Sequence, residues 1–115
     1  VMITIKGIDP KMIANNLEPF EPTHPGELLK DEIEYRGISQ KKFSEQTGIP
    51  YTALNEVLRG KRAITTEYAL LIEAALGIES QFWLRLQTDY NIITAKRTPS
   101  FMEKLKKVRK IAAVL

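Results

Sequence analysis

The chain has 115 residues, no cysteine, 43% hydrophobic and 27% charged residues, and a formal net charge of +3. One modest hydrophobic core suits that length, wholesale disorder does not suit that composition, and the lack of thiols excludes disulfides and thiolate chemistry. No apolar run approaches a membrane span and no basic start leads into an apolar core, which sets the expectation of a cytoplasmic protein without a leader, a span or a membrane partner.

The charge is unevenly placed. Residues 1–38 carry −3, residues 39–62 carry +3, residues 63–96 carry −2 and residues 97–115 carry +5. Two basic segments in an otherwise mildly acidic chain are what a polyanionic partner would require, although a basic tail also serves solubility.

Residues 1–24 form the least regular stretch. Met2 to Lys6 alternate apolar and polar residues as a short strand does, and Lys11–Leu17 could make a turn or two of helix. Pro10, Pro19, Pro22 and Pro25 work against anything longer, so a flexible arm is expected over residues 1–24. A first helix then starts at Pro25, whose missing N–H costs nothing at that position, carries Leu28, Leu29 and Ile33, and stops at Gly37. Ser39 suits the cap of a second helix, Gln40 to Thr47, anchored by Phe43 and broken at Gly48. A third runs from about Pro50 to Arg59 with Leu54, Val57 and Leu58 turned inward. Thr65 or Thr66 caps a fourth, where Ala69, Leu70, Ile72, Ala74, Ala75 and Leu76 are so nearly continuous that a central position is expected.

Ser80 opens a fifth helix, with Phe82, Trp83, Leu86, Tyr90 and Ile93 at helical spacing, interrupted at Thr98-Pro99. Ser100 and Glu103 then match a capping box. Phe101, Leu105, Val108, Ala112 and Leu115 trace a heptad-like seam on a lysine-rich helix over residues 98–115, short for a coiled coil and suited to docking on another helix.

The corner at Gly48-Ile49-Pro50 is the most informative feature. Two helices meeting across a tight turn need a small residue where they cross, a glycine at the bend and apolar residues locking the second rod. Ser44, Gly48, Leu54 and Val57 stand at those places, with Ile49 filling the inside. Packing then leaves Tyr51, Thr52, Asn55, Glu56 and Arg59 on the opposite face of the third helix. A major groove about 12 Å wide admits such a helix. Asn reads adenine, Arg guanine, Glu cytosine, and Thr offers a hydroxyl and a methyl. Gln40, Lys41, Lys61 and Arg62 surround that face and suit phosphate contacts that set register.

SQKKFSEQTGIPYTALNEVLRGKRAIT and the following TEYALLIEAALGI resemble the λ-repressor-like (Xre) helix-turn-helix domain over about residues 25–80. HPGELLKDEIEYRGIS before it and SQFWLRLQTDYNI after it are similar to HigA-type antitoxins, extending the match to about residues 23–97. The resemblance implies an all-α, λ-repressor-like five-helix bundle over residues 25–97, followed by the basic amphipathic helix. It implies operator DNA and a HigB-type, ribosome-dependent mRNA-cutting toxin as partners, with repression of their shared operon. It carries DNA contact to Gln40, Tyr51, Thr52, Asn55 and Glu56, and phosphate contact to Lys61. Here Ser44 replaces a usual Ala, Thr47 a usual apolar residue, and Pro50-Tyr51 usual small polar or basic residues.

His24 is the sole histidine, and its place beside Pro25 suits a helix start better than a metal site. Glu27, Asp31, Glu32 and Glu34 make the first helix acidic, fit for solvent or for a basic partner's cover. Phe82, Trp83, Leu86 and Tyr90 suit either a monomer core or a homodimer contact. No nucleophile with a base, glycine-rich phosphate loop or metal-ligand cluster occurs, so neither enzyme chemistry nor a cofactor is expected. Two other readings fit the same residues: an Xre repressor without a toxin, and an interaction module whose helix-turn-helix no longer binds DNA.

Overall fold

The structure is a computed structural model that describes residues 21–114. The strand expected at Met2–Lys6, the helical turns at Lys11–Leu17 and most of the arm lie outside the described residues, as does Leu115. The described residues form six helices and no strand: α1 Pro25–Tyr35, α2 Gln40–Thr47, α3 Tyr51–Leu58, α4 Thr66–Leu76, α5 Ser80–Lys96 and α6 Pro99–Ala113.

Local chemistry accounts for the helix ends. His24 Nδ1 accepts a hydrogen bond from the Gly26 N–H at 2.9 Å, capping α1 with Pro25 in the first turn. Ser39 Oγ accepts from the Lys42 N–H at 3.1 Å and opens α2. Of the two threonines before α4 it is Thr65 that caps, accepting from the Tyr68 N–H at 3.2 Å. Gly48 and Gly77 close α2 and α4 with φ of 77° and 75°, a region that costs any side chain with a Cβ.

One core joins the first five helices. Leu29 and Ile33 of α1, Phe43 of α2, Leu54 and Val57 of α3, Ala69 and Ile72 of α4, and Trp83 of α5 are all at most 2% exposed. Ile49 and Ile64 enter from the loops on either side of α3. Full burial of such side chains contributes roughly 1.5–3 kcal/mol each. With α3 wedged among α1, α2 and the loops, the corner is rigid.

Two expectations need correcting. α4 is not enclosed on all sides: Ala69, Ile72 and Leu76 face the core, while Leu70 (51% exposed) and Leu71 (38% exposed) face solvent with Ala74 and Ala75. Its sequence is apolar all round, but the chain supplies neighbours for one side. Nor does Ser100 cap α6. That helix begins two residues before the start a Ser100 cap would give, with Pro99 in its first turn and Thr98 as an extended cap residue. The ring of Pro99 presets the helical φ, and the Thr98 hydroxyl donates backward to the Thr94 carbonyl at 3.1 Å. α6 packs against α5, and none of its described side chains is buried.

Candidate nucleic-acid interface

The corner is stitched by side chains as well as by packing. Ser44 Oγ donates to the Ile49 carbonyl at 2.6 Å, across the bend. Thr47 Oγ1 donates to the Phe43 carbonyl at 2.8 Å and accepts from the Ile49 N–H at 3.2 Å. Both residues depart from the pattern they resemble, and both use their hydroxyls to satisfy backbone groups that the turn would strand. The polar replacements are therefore part of the turn.

Ala53, Leu54, Val57 and Leu58 lock α3 into the body. The other side carries Tyr51 (52% exposed), an exposed Thr52, half-buried Asn55 and Glu56, and Arg59 exposed at the C-cap. All five expected base-reading residues thus share the outer aspect of one short rod. The Glu56 carboxylate is engaged by Arg62, whose Nη2 lies 3.1 Å from Oε2. An exposed pair of this kind contributes at most about 1 kcal/mol, so phosphate or a base can compete for either partner.

Lys41 and Lys61 are exposed beside this face. Gln40 is placed differently. It lines a cleft of about 210 Å³ between α1, α2 and α3 with Asn55 and Arg59, and its Nε2 is a buried donor without an acceptor. An amide N–H of that kind costs roughly 1–3 kcal/mol unless something accepts from it. A phosphate oxygen at the start of α2 would do so only once the Gln40 side chain turns outward, because the atom is shielded from solvent as it stands.

The His24-Pro25-Gly26 start of α1 proves to be a brace for α3, a role that periodicity did not reveal. Gly26 lies so close to the end of α3 that a Cβ there would overlap the Val57 carbonyl oxygen. Gly60, at φ 72°, brings the chain after α3 against the His24 ring. The other edge of that ring meets Tyr90 of α5, centroids 4.8 Å apart in a T-shaped contact. His24 is 4% exposed, and burial lowers its pKa below the ordinary value, partly offset by Glu27. Gln87 of α5 is the second brace: its Oε1 accepts from the Ile64 N–H at 2.8 Å, and its Nε2 donates to Asn91 Oδ1 at 2.9 Å. Only a contact between residues 23 positions apart gives Gln87 this role, so no local pattern could have shown it.

The residues grouped as dimer contacts separate. Trp83 is 1% exposed and belongs to the core, and Tyr90 is half-buried against His24. Phe82 remains 45% exposed, its ring edge-on to Trp83, and Leu86 is half-buried. Among the described residues, no helix is long and apolar enough to cross a membrane.

The helix-turn-helix family HTH_3 matches residues 29–83, from α1 into α5. The chain is 34% identical to virulence-associated protein A of Dichelobacter nodosus over 76% of its own length and 86% of that protein. Its fold is similar to that of an addiction module antidote protein of the HigA family from Coxiella burnetii. The two are 31% identical with a TM-score of 0.68, covering 76% of this chain and 95% of the other. It is also similar to antitoxin HigA of Pseudomonas aeruginosa, solved with the higBA promoter, at 26% identity and a TM-score of 0.68 over 76% and 94% of the two chains.

Proposed function

This chain belongs to the HigA family of helix-turn-helix proteins, a family of DNA-binding antitoxins and not of enzymes, and from that premise we propose that it is the antitoxin and autorepressor of a toxin–antitoxin pair. It acts as a homodimer, binds a palindromic operator upstream of its own genes, and neutralises a HigB-type mRNA-cleaving toxin by direct association. The observation that carries the reading is the outer face of α3, where Tyr51, Thr52 and Arg59 stand free on a rod whose other side is fully packed.

The mechanism follows from rigidity and charge. Lys41, Lys61, Arg62 and the orphaned Gln40 amide take phosphates, which sets the depth and register of α3 in the major groove. Thr52 and Asn55 then meet base edges, with Arg59 at the far end of the rod. Glu56 discriminates by cost, since leaving Arg62 for any partner but a cytosine amine buries an unpaired carboxylate. Two such helices about 34 Å apart read both halves of a palindrome, and the dimer makes the second contact intramolecular.

Binding to the DNA upstream of the gene, measured from about 50 to 200 mM salt, tests the operator half. Specific affinity that falls steeply with salt is expected, because several phosphates are neutralised together. Affinity no greater than for unrelated DNA sinks it. Co-expression with the product of the neighbouring reading frame tests the other half: co-purification and restored growth are expected, and a frame that is neither toxic nor retained leaves an operator-binding repressor alone.

A further inference from the structure

A fifteen-residue helix without a buried side chain is marginal in water, because its own hydrogen bonds barely repay nucleation. α6 is such a helix, and its apolar stripe is left open: Phe101 is 41%, Val108 55% and Ile111 61% exposed. Lys104, Lys107 and Arg109 border the stripe, each one turn from Val108, Ile111 or Leu105. The stripe needs a cover that tolerates cations. A second α6 is a poor one, since residues 97–115 carry +5 in each copy.

The chain itself offers a better surface. A groove of about 470 Å³ between α1 and α5 is lined by Leu28, Tyr35, Ile78, Phe82 and Trp83, with Asp31 and Glu32 at its rim. Tyr35 (88% exposed) and Phe82 (45% exposed) leave it apolar and open. Asp31 has no ion pair among the described residues. Glu32 holds Arg36 at 2.8 Å in an exposed pair within one helix, worth a few tenths of a kcal/mol and easily exchanged. At about 100° per residue, Leu28, Asp31, Glu32 and Tyr35 share one side of α1. Lys30 and Glu34, which line the cleft with Asn55 and Arg59, lie on the other. A partner in the groove therefore leaves α3 free for DNA.

We propose that α6 of one copy docks in the acidic-rimmed groove between α1 and α5 of a second copy, reciprocally, and that this exchange builds the dimer that presents both α3 helices. Apolar stripe meets apolar groove, and Lys104 and Lys107 meet Asp31 and Glu32. The inference rests on the dimeric reading above and names its interface.

Charge exchange tests it with the full chain. One variant reverses the rim (Asp31→Lys with Glu32→Lys), the other reverses the stripe's border (Lys104→Glu with Lys107→Glu). All four positions are outside the core and receive good helix formers, and circular dichroism checks that the body still folds. In sedimentation velocity over a concentration series, each variant alone should dimerise at least about tenfold more weakly than the parent, because like charges then face each other. An equimolar mixture should recover the parent's affinity within about threefold, since each altered surface meets its complement in the mixed dimer. A parent dimer that neither variant weakens, or a mixture that fails to recover it, overturns the proposed interface while leaving the dimer in place. A monomeric parent at every concentration sinks the dimeric reading itself. Unchanged sedimentation with salt-sensitive loss of DNA affinity in the stripe variant also overturns the interface, and makes α6 a phosphate-binding arm.

Discussion

α3 and α6 are both amphipathic, and each stands beside a cluster of cations, yet they are held in opposite ways. α3 has eight residues and buries four of them, Ala53, Leu54, Val57 and Leu58. α6 has fifteen and buries none. The shorter helix is fixed by everything around it: Ser44 and Thr47 at one end, Gly26 and His24 at the other. The longer one is attached mainly at its corner with α5. Reading base edges to within a fraction of an ångström, the role proposed for α3, needs the first arrangement. Docking by charge and apolar contact, the role proposed for α6, needs only the second.

The sharpest way to break this contrast is to shorten one apolar side chain on each helix. Leu54 is 0% exposed, and Leu54→Ala should cost about 2–5 kcal/mol in chemical denaturation, the range for a core leucine. Val108→Ala, made on a side chain 55% exposed, should change the stability of the dissociated monomer by less than about 0.5 kcal/mol. Comparable losses from the two would mean that α6 is packed within its own chain after all.

Gly26→Ala comes next. A methyl group there overlaps the Val57 carbonyl oxygen, a backbone atom that cannot swing aside as a side-chain tip can. The expected loss is about 1–3 kcal/mol, with operator affinity falling further than the change in folded fraction explains, because the end of α3 must move. Stability near that of the parent would show that α1 does not brace α3.

The two regions also differ in how far the sequence discloses them. Ser39, Gly48, Thr65 and Gly77 end helices by chemistry within a few residues, so those ends were readable, and the spacing from Ser44 to Val57 was enough to anticipate the corner and the outward face of α3. What failed depended on distant neighbours. Leu70 and Leu71 look like core until one knows that α4 has company on one side only. Trp83 suits a core or a surface equally until the packing of α1 against α5 is known. Gly26 and Gln87 have meaning only through Val57 and Ile64, elsewhere in the chain. Ser100 misled because a capping box is a local rule, and the proline before it offered an equally local start that moves the cap two residues back, to Thr98.

At the interface itself, Thr52→Ala should reduce discrimination between operator and mutated operator by about 1–3 kcal/mol, one base contact's worth. Lys61→Ala should weaken binding to all sequences alike and lower the slope of log affinity against log salt by about one. Competition titrations on the two DNAs separate these outcomes. Losses of one kind from both variants would mean that α3 lies in the groove differently from the orientation argued here.

The smallest effect tests the brace alone. Folded His24 must be neutral to accept the Gly26 N–H at Nδ1, and a proton on that ring would also place positive charge at a helix N-terminus. Burial accordingly depresses its pKa, with Glu27 opposing. Because the folded value lies below the unfolded one of about 6.5, the contribution is complete above that pH and is lost as pH falls through the folded value. Thermal stability should therefore decline from pH 7 to pH 5 more steeply in the parent than in His24→Asn, which keeps a capping oxygen and cannot titrate. Parallel pH profiles would mean that the ring keeps its place by packing on Tyr90 and Gly60, without the hydrogen bond that caps α1.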